Sequence, residues 1–223
     1  MVEFEEFIDY IKTQDYYCDQ ISHIQYIPEK KAKFKKLTKP LRKRLQRWLE
    51  NNFLELWGHQ AEAINAIREG KNTAIVTSTA SGKSICYNLS VLQSILDDPK
   101  TTALYIFPTK ALARDQFNIL TKIMAETNIK RSRIGIYDGD VEPNEKRQVL
   151  NNANIVITNP YGLQFYLPWF KQKWSRICKN LKFIVLDEIH IYRGIFGSNF
   201  ALLLRRLKRI LEVFNARPIW ILS

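Results

Sequence analysis

A chain of 223 residues with 46% apolar content is long enough to bury a full core, and one α/β domain with an appendage is its natural division. No apolar run reaches the roughly 20 residues that span a bilayer, and the acidic start Met1-Val-Glu-Phe-Glu-Glu-Phe7 does not resemble a signal or transit peptide. A membrane protein is set aside, and a cytoplasmic chain, or one at the nucleoid or in the nucleus, is expected. Three scattered cysteines, Cys18, Cys86 and Cys178, give neither a disulfide framework nor a CxxC metal pair. The net charge of +12 is uneven: ten Lys or Arg and no acid lie between Lys30 and Arg47, which leaves about +2 elsewhere. A polyanion such as nucleic acid explains that run, and so does a solvated helix face.

Taken in order, residues 1 to 27 alternate aromatics with acids, which predicts a short amphipathic helix and then an irregular piece ending near Pro28. In the basic stretch Pro40 suits a helix start, and Leu41, Leu45, Trp48 and Leu49 repeat at helical spacing, leaving Arg42, Lys43, Arg44 and Arg47 exposed. A basic helical extension over residues 1–52 is expected, ahead of a nucleotide-type domain over 53–223. A helix from about His59 stops at Gly70. Near its start, the Gln60 amide can accept from and donate to an adenine edge while Trp57 lies on the ring face; a surface Gln and a core Trp are the other reading.

Thr73-Ala-Ile-Val-Thr-Ser-Thr-Ala-Ser-Gly-Lys-Ser84 follows, a β-type run that breaks into small and hydroxyl residues. It reads as a phosphate-binding loop, in which small residues such as Thr79, Ala80, Ser81 and Gly82 let backbone N–H groups and a helix N-terminus face an anion. Lys83 then reaches the β/γ-phosphates and the Ser84 hydroxyl holds Mg²⁺. Thr77 stands where the strict pattern has Gly, so it must keep a negative φ. The helical spacing of Ile85 to Leu96 supplies the strand, loop, helix order the motif needs.

A second strand, 102–107, runs into Pro108 and the N-cap Thr109, where Lys110 and Arg114 make a seat for a nucleic-acid backbone or flank an ordinary connection. Third and fourth strands, 133–137 and 153–158, enclose the turn Asp138-Gly-Asp140 and a polar helix over 142–150. Thr158 and Asn159 end the fourth strand, where α/β sheets place ligands, and serve equally as caps for the next helix. In Phe183-Ile-Val-Leu-Asp-Glu-Ile-His190 a strand buried on both faces ends in two carboxylates. Such a pair suits Asp187 holding Mg²⁺ and Glu188 activating a water, with His190 sensing the γ-phosphate or making a plain hydrogen bond. Ser198 is a candidate cap for a helix with the stripe Phe200, Leu203, Leu204, Leu207 and Leu211, and Arg217 to Ser223 is a sixth strand. The fold class expected is α/β, a doubly wound, mainly parallel sheet of P-loop NTPase type with a helical N-terminal extension.

Together these stretches resemble superfamily 2 helicases, DEAD/DEAH-like, and Thr79 to Leu89, Asp187 to Ser198 and Arg205 to Arg209 resemble the MrfA/Hrq group of DNA helicases. The resemblance runs from about residue 20, including Ile21-Ser-His-Ile-Gln-Tyr-Ile-Pro28, to residue 223. It implies an ATP-dependent motor with a RecA-like fold that moves along single-stranded DNA, using ATP and Mg²⁺. It implies Gln60 as adenine reader, Lys83 and Ser84 as phosphate and metal ligands, and Asp187 and Glu188 as metal holder and general base. Thr109, Lys110, Asp140 and Thr158 fall in or beside the nucleic-acid track. It also implies a second RecA-like domain beyond Ser223, without which hydrolysis is weak and unwinding absent. The competing classes are another P-loop NTPase and a nucleic-acid-binding module with little catalysis.

Overall fold

The computed structural model of the chain describes residues 4–26, 33–52, 54–77, 81–130 and 133–223, the side chain of Lys171 excepted. They fall into two compact units, one ending at residue 32 and one beginning at Lys33. The first holds helix α1 (Phe4–Lys12), whose Glu5 and Glu6 in the first turn and Lys12 in the last complement the helix dipole. An irregular stretch follows to Tyr26, as the sequence predicts.

The second unit is built on a six-stranded sheet, all parallel, in the order β1-β6-β5-β2-β4-β3. The strands are β1 (Thr73–Ala74), β2 (Thr102–Ile106), β3 (Ile134–Ile136), β4 (Ile155–Thr158), β5 (Leu181–Leu186) and β6 (Ile219–Leu222). Alternate residues point to opposite faces, and each face carries its own core. Tyr105, Ile157 and Val185 join one core, whereas Leu104, Val156 and Ile184 join the other. The first core is closed by α2 (Lys43–Asn51), α3 (Gly58–Arg68), α4 (Lys83–Asp97) and α5 (Lys110–Glu126). The second is closed by α6 (Pro143–Asn152), α7 (Pro160–Tyr166), α8 (Phe170–Lys173), α9 (Ser175–Lys179) and α10 (Gly194–Val213).

The basic helix departs from the expected layout. Leu41, Leu45, Trp48 and Leu49 are all buried in the first core, with Arg42, Lys43, Arg44 and Arg47 exposed as the spacing predicts. The helix begins at Lys43 rather than Pro40, and it belongs to the sheet-bearing unit, not to a separate extension over 1–52. Side-chain anchors explain the placement: Trp48 Nε1 donates to Glu126 at 2.6 Å, Arg42 pairs with Asp97 at 2.6 Å, and Arg44 donates to the Asn128 carbonyl at 3.3 Å. Part of the positive run is thus pinned to the domain.

Two smaller differences have clear causes. Strand β1 is an edge with a single neighbour; its ladder covers Thr73 and Ala74, the Ile75 N–H makes a last bond to the Leu222 carbonyl at 2.8 Å, and Val76 beyond it is 91% exposed despite its β-type character. Ser198 is not a cap, because α10 already starts at Gly194, and its Oγ donates back to the Gly194 carbonyl at 3.2 Å. A side chain at Gly197 would meet the Tyr192 carbonyl oxygen at 2.5 Å, so glycine is required where the chain enters that helix.

Candidate nucleotide-binding site

All six strands are parallel, so every strand-to-helix turn lies at one edge of the sheet, where such sheets hold ligands. The loop after β1 and the acidic end of β5 are separated there only by β6, which puts them about 10 Å apart at ordinary strand spacing.

On the loop side, α4 opens at Lys83 with Gly82 as its cap residue in the left-handed conformation, φ 70°. The conformation favours glycine, and a Cβ at Gly82 would lie 2.5 Å from Gln60 Nε2 and displace that amide. Ser81 is buried, with its Oγ 2.5 Å from the Thr77 hydroxyl, and Lys83 Nζ donates to the Thr77 carbonyl at 3.3 Å. Thr77 stays out of the left-handed region, as its Cβ requires. Ser84 follows in the first turn of α4, half-buried. Thr79 and Ala80 lie outside the described residues. Helix α4 then buries every residue from Cys86 to Ile95, so it crosses the core rather than lying on it with one apolar face. Burial pushes the Cys86 thiol up to about 12, and Cys178 likewise, so both stay protonated.

The structure shows which internal bonds the Gln60 amide makes. It is buried: Oε1 accepts from the Trp57 N–H at 3.0 Å, and Nε2 donates to the carbonyls of Ser81 and Gly82 at 3.2 and 3.3 Å. Nε2 of His59 lies 3.1 Å from the same Ser81 carbonyl. Gln60 therefore ties the start of α3 to the loop. Trp57 stays 41% exposed, edge-on to His59, and bridges to Phe34, a 51% exposed aromatic that the sequence reading missed inside its basic run.

At the end of β5, Asp187 Oδ1 accepts from the Glu188 N–H at 3.1 Å, and Oδ2 accepts from the Tyr87 hydroxyl at 3.0 Å. Glu188 is itself left-handed, φ 52°, an unusual and strained state for a residue with a long side chain. Its carboxylate lies 3.2 Å from His190 Nδ1, whose ring is largely exposed. Burial, and then the charge of Asp187, holds the hydroxyls of Tyr87, Tyr105 and Tyr192 well above their usual range, so all three remain phenols. The Ser223 carbonyl closes this edge by accepting from the Ile189 N–H at 2.9 Å.

The remaining candidates separate into two groups. Thr109 caps α5 by accepting from the Leu112 N–H, and beside it Asp140 gathers Lys110 at 2.6 Å and Arg114 at 3.4 Å, all four residues exposed. The hydrogen bond from Lys110 lowers the Asp140 carboxyl below its usual range. Thr158 and Asn159, by contrast, are 1% and 3% exposed. The Thr158 hydroxyl donates to the Tyr137 carbonyl at 2.7 Å, and the Asn159 side chain caps α7 by accepting from the Gly162 N–H at 2.9 Å. Asn159 thus caps α7, one of its two readings, while the Thr158 hydroxyl is turned to the Tyr137 carbonyl.

A protein-family model described as DEAD/DEAH box helicase matches residues 57–223. The chain belongs to the DEAD/DEAH box helicase family. It is 39% identical over 210 residues to the ATP-dependent helicase HRQ1 of Saccharomyces cerevisiae, covering 94% of this chain and 19% of that protein. It is 42% identical over 196 residues to the uncharacterized ATP-dependent helicase YprA of Bacillus subtilis, covering 87% of this chain and 26% of that protein. Among solved structures, the DUF1998 helicase MrfA bound to DNA and AMPPNP superposes with a TM-score of 0.84 at 42% identity, covering 88% of this chain and 28% of that one. The helicase domain here is thus the RecA-like sheet and its helices, and the chain spans about a fifth to a quarter of the length of the curated relatives it matches.

Among the described residues, no group of three or more His, Cys, Asp or Glu gathers as a metal cage. Ser84 and Asp187 offer only hard oxygen donors. That set fits Mg²⁺, which keeps several waters and takes one or two protein oxygens beside phosphate, and does not fit zinc.

Proposed function

We propose that this domain is the ATP-binding half of a DNA helicase motor, coupling ATP hydrolysis to movement along single-stranded DNA. One observation carries the reading: Lys83 and Ser84 open a helix after β1 while Asp187 and Glu188 end β5 at the same sheet edge. A P-loop alone serves many chemistries, but an Asp-Glu pair two strands away supplies the other half of a phosphoryl-transfer site.

In this reading the backbone N–H groups at the start of α4 and the Lys83 ammonium hold the phosphates. Ser84 and Asp187 hold Mg²⁺, which neutralises charge on the phosphate oxygens when bound. Glu188, aimed by its left-handed backbone and partnered by His190, takes the proton of the attacking water. Trp57 and Phe34 are the exposed aromatics beside the start of α3 and are assigned to the base. The strand backbone runs over the N-terminus of α5, where Thr109, Lys110 and Arg114 face solvent beside Asp140. DNA is assigned because MrfA, the structural relative above, is solved with DNA. A second RecA-like domain is required to complete the motor, since the transition-state charge needs an arginine from outside this sheet, worth roughly 10³ to 10⁵ in rate.

The test is steady-state ATP hydrolysis by the chain with and without single-stranded DNA, with Lys83→Ala as control. Turnover that DNA stimulates and the substitution removes supports the motor. Salt-dependent DNA binding that ignores ATP, with no nucleotide bound, replaces it with a passive nucleic-acid module.

A further inference from the structure

Tyr87 lies one turn into α4, fully buried, on the helix that the phosphate loop feeds. Its hydroxyl faces two acceptor-type atoms, Asp187 Oδ2 at 3.0 Å and Gln116 Oε1 at 3.2 Å. A phenol has one proton and cannot donate to both. Meanwhile Gln116 Nε2 is buried with no partner in that orientation. Half a turn of the amide resolves both problems at once: Nε2 donates to the Tyr87 oxygen, and the single phenolic proton goes to Asp187. The exchange leaves a carbonyl oxygen in place of an N–H as the unpaired buried atom, which is the cheaper of the two to strand.

We propose that Tyr87 is a positioning residue for the metal-side carboxylate, within a relay Gln116 to Tyr87 to Asp187 that joins the nucleic-acid helix to the nucleotide site. The inference rests on the nucleotide reading above. Its three members come from three elements, α5, α4 and the end of β5. Gln116 sits on the buried side of α5, the helix whose exposed start carries Thr109, Lys110 and Arg114. A shift of α5 along its axis when a strand binds at that start moves the donor to Tyr87 and so alters the hold on Asp187. The bond to Asp187 is charge-assisted and made from a fully buried hydroxyl to a part-buried carboxylate, a setting in which a hydrogen bond holds a side chain more firmly than in open water.

Tyr87→Phe keeps the ring and removes the donor; Gln116→Met keeps the volume of the side chain and breaks the first link. Each is measured by titrating Mg²⁺ into the chain with a fluorescent ATP analogue, reading nucleotide binding rather than turnover, with circular dichroism to confirm folding. Tyr87→Phe is expected to raise the half-saturating Mg²⁺ roughly ten-fold, the scale of lost partners to metal ligands, while binding of the analogue in EDTA is unchanged. Gln116→Met is expected to move it less, in the same direction, and to abolish any lowering of the half-saturating Mg²⁺ that single-stranded DNA causes in the native chain. Folded variants whose half-saturating Mg²⁺ stays within about two-fold of native overturn the relay. A native chain that binds the analogue with no Mg²⁺ dependence overturns the relay as well, and one that binds it neither with Mg²⁺ nor in EDTA overturns the nucleotide reading beneath it.

Discussion

Strands β4 and β5 are both central, parallel and buried, and both end in a polar pair, yet the two pairs have opposite fates. After β4 the chain enters α7 at once through Pro160, and Thr158 and Asn159 turn inward to hold the Tyr137 carbonyl and the Gly162 N–H. After β5 no long helix starts until Gly194, and a left-handed Glu188 turns the pair into the edge of the sheet. In these two strands the element that follows goes with whether the last polar residues serve as internal bonds or stay at the sheet edge. An immediate helix has orphan N–H groups to satisfy and takes the nearest side-chain oxygen.

The sharpest test of this contrast is on the side of the proposed nucleotide site. Lys83→Ala is expected to lower ATP hydrolysis by on the order of 10² to 10³, as loss of a placed charge at a transition state does, with little change in the melting temperature. Glu188→Gly probes the same side through the backbone. Relief of a left-handed residue is worth about 1–2 kcal/mol, more than the roughly 0.5–1 kcal/mol that glycine costs in chain entropy. The fold is therefore expected to hold or gain stability by thermal melt while hydrolysis falls. A clear loss of stability would show that Glu188 is there for packing, and the contrast with β4 would weaken.

On the capping side, Asn159→Ala is expected to cost about 1 kcal/mol, a fall of roughly 2–4 °C in melting temperature for a domain of this size. The salt dependence of DNA binding should stay as it was, because the substituted side chain is buried. A shallower salt slope would mean that the turn after β4 opens to a strand, contrary to the closed geometry.

Much of the layout was legible in the chain itself. Apolar runs such as Phe183 to Leu186 and Ala103 to Ile106 are bounded by turn residues, and their parallel pairing follows from the intervening helices. Gly82-Lys83-Ser84 stood out as small residues and a lysine between a β-type run and a helical one, and Asp187-Glu188 as adjacent carboxylates at a strand end, which need a reason to be there. What stayed hidden was how each polar group's bonding capacity is divided. Nothing local tells that Gln60 already holds Ser81 and Gly82, or that Tyr87 meets an aspartate 100 residues away. The basic helix was misplaced for a related reason: its charge is visible in the sequence, whereas the anchoring of Trp48 on Glu126 is not.

The smallest effect expected lies at the exposed cluster after β2 and β3, where Asp140 holds Lys110 and Arg114. Asp140→Asn removes one negative charge and releases two cations, so binding of single-stranded DNA should tighten and its salt slope steepen by about one phosphate contact. Lowering the pH should act in the same sense. The Lys110 hydrogen bond holds the Asp140 carboxyl below the usual aspartate value of 3.8, so the folded state takes up that proton later than the unfolded state does. The pair's contribution to stability is complete above that usual value and fades as the pH falls through the lowered one. Because both partners are about half exposed, the fade should be slight. Native and Asp140→Asn chains should therefore differ in DNA affinity at neutral pH and converge in acid. If they differ equally at both, Asp140 acts on the strand by some route other than its charge.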